Sequence, residues 1–207
     1  MRILRDTTFL LALNLAPFLT AQTFPADTIL TDPVLNVVEK TAIVPIYLWQ
    51  RFSYSADFMN CQFEPSCSNY MAQAIAEYGV LPGVIRGTDR IVRCNPAARH
   101  YHSLQLQPQY AADGRLLEPI NWQPGRTTEK DPKLALALSV VPGLGRTYAG
   151  RPMDGLFSFL MVIGFGSNAY YFQQGQKPTA AALTGIAATL FWVADFYGAY
   201  RAGQRAP

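Results

Sequence analysis

Charge is scarce in this chain. Only 15% of its 207 residues are Asp, Glu, Lys or Arg, while 50% are hydrophobic. Soluble domains carry nearer a quarter charged residues. The apolar excess is concentrated at the two ends, which points to membrane segments rather than to one unusually large core. The net charge of +3 is too small to argue for a nucleic-acid partner. Cysteine is nearly absent too: there are three, an odd number that leaves at least one thiol outside any disulfide and fixes no redox compartment. Because no lipobox cysteine follows the N-terminal apolar run, the pattern of a lipoprotein is missing. There is no repeat and no low-complexity tract. The glycines at 143, 145 and 150 follow no strand, so they lack the context of a nucleotide-binding loop.

The apolar segments that are present differ in kind. Residues 1–21 run from Arg2 and Arg5 through the apolar stretch Phe9 to Phe18 to small and polar residues at Thr20 and Ala21. That is the layout of a secretory signal. Asn14 and Pro17 interrupt the run, which is shorter than the roughly 20 residues of a spanning helix. An uncleaved anchor or interfacial helix is the other reading. Residues 42–52 are apolar and aromatic, with Tyr47 and Trp49 beside Gln50 and Arg51. Such a segment suits the headgroup zone, with Trp49 shallow and Arg51 toward phosphates, or else it closes the core of a helical unit. Pro45 is expected to confine any regular helix to the residues after it.

The stretch C-Q-F-E-P-S-C-S-N-Y-M-A-Q-A-I-A-E-Y-G-V-L-P-G-V-I-R-G-T-D-R-I-V-R-C-N-P, Cys61 to Pro96, holds all three cysteines. Ser66 is placed to cap a helix over about Cys67 to Tyr78. Gly79 can end that helix with a positive φ, and Pro82 suits the first turn of the next. Two helices of similar length folded back on each other return Cys94 to the neighbourhood of Cys67. The apolar stripe of the first is expected at Cys67, Met71, Ala74, Ile75 and Tyr78, and that of the second at Val84, Ile85, Ile91 and Val92. Arg86, Arg90 and Arg93 share one face, with Asp89 able to pair with Arg86 or Arg93.

These residues, with I-Y-L-W-Q-R-F-S just upstream, resemble the membrane protein insertion efficiency factor family (YidD) over Ile46 to Pro96. The match rests on Cys61 and Phe63 before P-S-C-S-x-Y, on Ala74, on Tyr78 and Gly79, on Gly83, and on R-x-x-R-C-N-P from Arg90. After Pro96 the chain has A-A-R-H-Y-H in place of the family's glycine-rich tail. The resemblance implies a small domain on the cytoplasmic face of the bacterial inner membrane. It also implies help to the insertase machinery in placing nascent membrane proteins, and brings no catalytic residue and no cofactor.

Beyond the resemblance, residues 103–132 are rich in Pro, Gln and Gly and read as a linker. Leu134 to Val141 is apolar but short and ends at Pro142 and Gly143. Gly155 to Phe172 and Thr179 to Tyr200 are each apolar enough to span a bilayer, and the short Gln173 to Pro178 turn makes them a hairpin. P-G-L-G-R-T-Y-A-G-R before it resembles, more weakly, the start of small two-helix membrane modules fused to many bacterial proteins. Asp195 sits near the end of its span, beside Arg146, Arg151 and Asp154, and is expected to pair there or to reach the interface. Lys133, Arg146 and Arg151 precede the hairpin and Arg201 and Arg205 follow it, while its turn has only Lys177. The positive-inside rule therefore places both hairpin ends in the cytoplasm. A cleaved signal would instead export the middle domain.

Together these readings give an all-α inner-membrane protein, with a helical-hairpin domain at 42–102 and a transmembrane hairpin domain at 133–207. Cys61, Cys67 and Cys94 are expected to form a structural thiol cluster or to hold one disulfide, with Cys67 and Cys94 the favoured pair if the domain is exported. Metal is not expected, because zinc sites usually pair cysteines two to four residues apart. Arg86, Arg90, Arg93, Trp49 and Arg51 are the candidate contacts for membrane lipids or a protein partner. The expected role is non-catalytic assistance to membrane-protein insertion. Two alternatives stay open, a lipid-directed thiol hydrolase or lytic factor acting through Cys67, and a structural envelope module.

Overall fold

The computed structural model of the protein describes residues 23–54, 61–122 and 130–204; residues 1–21, read as a signal, lie outside them. The fold is all-α, and among the described residues it has one minimal pair of two-residue strands.

Helix α1, Pro25–Leu30, leads into α2, Val37–Ser53. Asn36 and Glu39 start α2 with reciprocal bonds: Asn36 Oδ1 accepts from the Glu39 amide and Glu39 Oε2 from the Asn36 amide, each at 3.0 Å. The helix runs through Pro45 instead of beginning after it. Proline removes one backbone donor there, and the Thr41 carbonyl it leaves unpaired lies on the exposed side, where solvent or headgroups can satisfy it. The inner side of α2 carries Ile43 and Ile46 into a core with Ala26, Leu35, Ala72 and Ile75. Ala26 and Leu35, both before residue 42, thus share one core with α2 and the hairpin.

Helix α3, Cys67–Tyr78, and α4, Val80–Arg93, form the expected hairpin, joined at Gly79 with φ +83°. The Ser66 hydroxyl accepts from the Asn69 amide at 3.3 Å. A Cβ at Gly83 would lie 2.5 Å from the Ile75 backbone, so this crossing requires glycine. The buried face of α3 is Tyr70, Ala72, Ala74 and Ile75. That of α4 is Gly83, Gly87, Thr88, Asp89, Arg90, Val92 and Arg93, mostly polar. The stripe expected from its aliphatic residues is thus only partly the buried one: Ile91 is exposed.

The segment read as a linker is folded over its first part. After α5, Ala98–Ser103, the chain returns as β2, Leu116–Leu117, parallel to β1, Phe63–Glu64, with Phe63 beside Leu116. Phe63, Ala98 and Leu116 form a small core against which all three cysteines pack.

Two short helices, α6 (Pro132–Leu138) and α7 (Leu144–Tyr148), precede α8 (Pro152–Gln174) and α9 (Pro178–Gly203). Helices of 23 and 26 residues extend about 35 and 39 Å, enough for a hydrocarbon core of about 30 Å. Only 11% and 17% of their most apolar stretches are buried. That separates them from core helices of a soluble domain, whose apolar residues would be covered. They pair as an antiparallel hairpin, with Phe165 stacked on Phe191.

Candidate functional site

The domain and the hairpin meet at a lattice of buried charge. Arg146, on α7, is 1% exposed. Its Nε lies 2.8 Å from Asp195 Oδ1 on α9, and its guanidinium also reaches Asp89 Oδ1 on α4 at 2.8 Å. Asp195 Oδ2 accepts from the Gly143 amide. Arg93 bridges Asp89 at 3.0 Å and Glu118, just after β2, at 2.8 Å. Asn95 donates to Asp154 at the start of α8 (2.6 Å), Arg151 pairs with the same carboxylate, and the Tyr101 hydroxyl accepts from the Met153 amide. Arg201 closes the group, 3.8 Å from Asp89. Every contact lies at the Asp154 and Asp195 end of the hairpin, so the helical domain sits on the side where both hairpin ends emerge.

Burial alone would raise the Asp89 and Glu118 carboxyls. Arg146 and Arg93 beside Asp89, and Arg93 beside Glu118, overcome it and hold both below the usual carboxylate range. A depressed folded pKa stabilises the fold above the unfolded value, about 4 for these groups, and that contribution is lost as pH falls through the folded pKa. The thermal midpoint of the detergent-solubilised protein is expected to be flat between about pH 7 and 5 and to drop below about pH 4. Glu118→Gln should blunt the drop. A midpoint that rises on acidification would contradict this.

Beside the lattice lie the thiols. Cys61 precedes β1, Cys67 opens α3 and Cys94 ends α4. Their sulfurs all fall within 4.8 Å of one another, with Cys61 and Cys67 3.5 Å apart, and all three are free thiols. Hydrogen bonds from the Cys67 and Cys94 thiols, and from the Phe63 and Cys67 amides, hold Cys61 far below the usual thiol range. The Cys67 thiol is pushed up by its contacts with the Cys61 and Cys94 sulfurs and by burial, and the Cys94 thiol is raised chiefly by its contact with Cys61. Among the described residues no histidine or carboxylate joins the group. His102 instead stands against Gln109 O, Glu118 and the Tyr110 and Trp122 rings.

The other sequence candidates separate. Arg90 and Arg93 face inward and are buried, out of reach of a lipid surface. Arg86 is half-buried between the Tyr78 and Tyr197 rings. Arg51 pairs with Asp27 and covers the Tyr47 ring. Trp49 lies on an exposed apolar stripe with Val37, Val44, Leu48 and Phe52, the last two about 60% exposed. Asn95 entered the sequence reading only as part of R-x-x-R-C-N-P, and Glu118 did not enter it. Glu118 stood alone in a stretch without periodicity, and only the β1–β2 pairing places it beside Arg93.

The family model described as YidD, "Putative membrane protein insertion efficiency factor", matches residues 38–103. Curated proteins carrying that printed description also match the chain. One from Thermotoga neapolitana is 36% identical over 62 residues, 78% of its length and 30% of this chain. One from Aquifex aeolicus is 42% identical over 57 residues, 84% of its length and 27% of this chain. The chain belongs to the YidD family. The family match ends at residue 103, the last residue of α5, so α6 to α9 lie outside it. No solved structure matches the chain.

Proposed function

We propose that this protein is a non-catalytic accessory factor for the insertion or assembly of bacterial inner-membrane proteins, with its YidD domain on the cytoplasmic side. Two bilayer-length helices hold the domain at the membrane, and the buried lattice fixes its orientation on them. The carrying observation is the exposed stripe of α2, where Val37, Val44, Leu48, Trp49 and Phe52 stand outward on the domain. An amphipathic helix bearing aromatic residues on its open face suits the headgroup region, where membrane lipids, nascent apolar segments and the insertase machinery meet. Positive charge at both hairpin ends, Lys133 and Arg201 among them, favours the cytoplasm for the domain side.

The test is complementation with Leu48→Ser, Trp49→Ser and Phe52→Ser combined, following insertion of a labelled membrane protein. Because these side chains are exposed, stability should change by only about 0.5 kcal/mol per site, while insertion falls severalfold. Full insertion activity in the stably folded variant would refute the assigned surface. The thiol-hydrolase reading has one observation in its favour, the three free thiols gathered within 4.8 Å of one another. It requires loss of function in a folded Cys61→Ser protein with an intact α2 surface.

A further inference from the structure

We propose that Cys61, Cys67 and Cys94 form a three-thiolate site for one soft metal ion of the zinc class, with a fourth coordination position open. Spacing along the chain argues against such a site, because Cys61 and Cys67 are six residues apart. The fold removes that argument by delivering the three ligands from three different places: the approach to β1, the start of α3 and the end of α4. A tetrahedral ion with metal–sulfur bonds of about 2.3 Å holds its sulfurs roughly 3.8 Å apart. The observed triangle has one edge of 3.5 Å and none above 4.8 Å. Closing it needs movements of about 1 Å or less at the longest edge.

Two further features suit such an ion. The Cys67 amide donates to Cys61 Sγ at 3.3 Å, the Phe63 amide donates to the same sulfur, and the Gln62 amide donates to Cys94. Amide bonds to sulfur orient thiolates and spread their charge, as outer-shell partners of metal ligands do. The second feature is Arg90. It is fully buried, and its Nε and both terminal nitrogens lack a hydrogen-bond partner among the described residues. It lies between the Phe63 and Tyr70 rings, in electrostatic reach of Glu118 and, more weakly, of Cys67. Arg90 shares Glu118 with Arg93, so among the described residues the lattice sets the guanidinium groups of Arg90, Arg93, Arg146, Arg151 and Arg201 against only the carboxylates of Asp89, Glu118, Asp154 and Asp195, one positive charge in excess. A divalent ion on three thiolates carries one net negative charge and would balance it. A single thiolate in a hydrogen-bonded ring carries the same charge, but engages one sulfur where the metal engages three.

That difference is measurable. Reduced full-length protein in detergent should bind one cobalt(II) per chain, with sulfur-to-cobalt charge-transfer absorption that zinc abolishes by displacement. Cys61→Ser and Cys94→Ser should each weaken binding at least about tenfold, the lower end for loss of a supporting contact. The unaltered protein gives a readout that does not depend on how the variants fold: zinc should protect all three thiols together from alkylation, as counted by mass spectrometry. Cobalt spectra without a sulfur band, or alkylation unaffected by zinc, would overturn the proposal. So would a Cys61–Cys67 disulfide in protein isolated under thiol trapping.

Discussion

Arg146→Met is expected to destabilise the protein by about 3–5 kcal/mol, the cost of removing one partner from a buried ion pair. The change keeps the volume and removes the charge. Asp89 and Asp195, each fully buried, lose the guanidinium that joins them at 2.8 Å, and the Ala194 carbonyl loses its donor. Because the lattice is the contact between α4 and the hairpin, the loss should appear as separation of the domain from α8 and α9 as well as a lower denaturation midpoint. Tryptophan fluorescence follows both, since Trp122 lies by Arg201 and Trp192 lies on α9. Adding Asp195→Asn to Arg146→Met should recover part of the loss, because one of the stranded charges is then removed. If the single variant is as stable as the parent, the lattice does not hold the two parts together.

Gly143→Ala should be nearly as severe, and Gly150→Ala much milder, although both glycines have φ near +80°. The shared backbone strain is about 1–2 kcal/mol for a non-glycine residue. At Gly150 a Cβ meets nothing within 4 Å. At Gly143 it overlaps the Gly155 carbonyl, where the turn before α7 presses on the first turn of α8. Overpacking there adds about 1–3 kcal/mol, for a total of roughly 2–5. Displacing this turn also moves the Gly143 amide away from Asp195. Chemical denaturation of the two variants side by side separates packing from strain, and equal losses would show that the close approach of Gly143 and Gly155 is not a constraint.

How much of this was legible in the sequence follows from which signals are local. Ser66, Gly79 and the apolar lengths of α8 and α9 act on their own segments, and they located the α3–α4 hairpin and the membrane hairpin to within a few residues. Pro45 misled because a proline stops a helix only when the freed carbonyl has no other partner. On α4 the difficulty was physical: apolar periodicity marks buried faces when the buried atoms are apolar, and this helix buries Asp89, Arg90 and Arg93. Charges at three-and-four spacing read as a solvated face until their opposite charges, from α7, α9 and the strand β2, are known to arrive. The strands carried no signal of their own at two residues each. Thus Glu118 remained hidden in what looked like a linker. The pairing of Asp195 with Arg146 was among the alternatives, because an acid near the end of a span needs a cation.

The placement of the domain on the cytoplasmic end of a membrane hairpin is tested most directly by a biotin acceptor peptide inserted at two sites, with biotinylation by the cytoplasmic ligase in living cells. One insertion goes between Asp113 and Gly114, a turn before β2; the other between Gly175 and Gln176, in the turn joining α8 to α9. The account predicts biotinylation at the first site and none at the second. Biotinylation at both would show that the hairpin does not cross, and biotinylation only at the second would put the YidD domain on the opposite face.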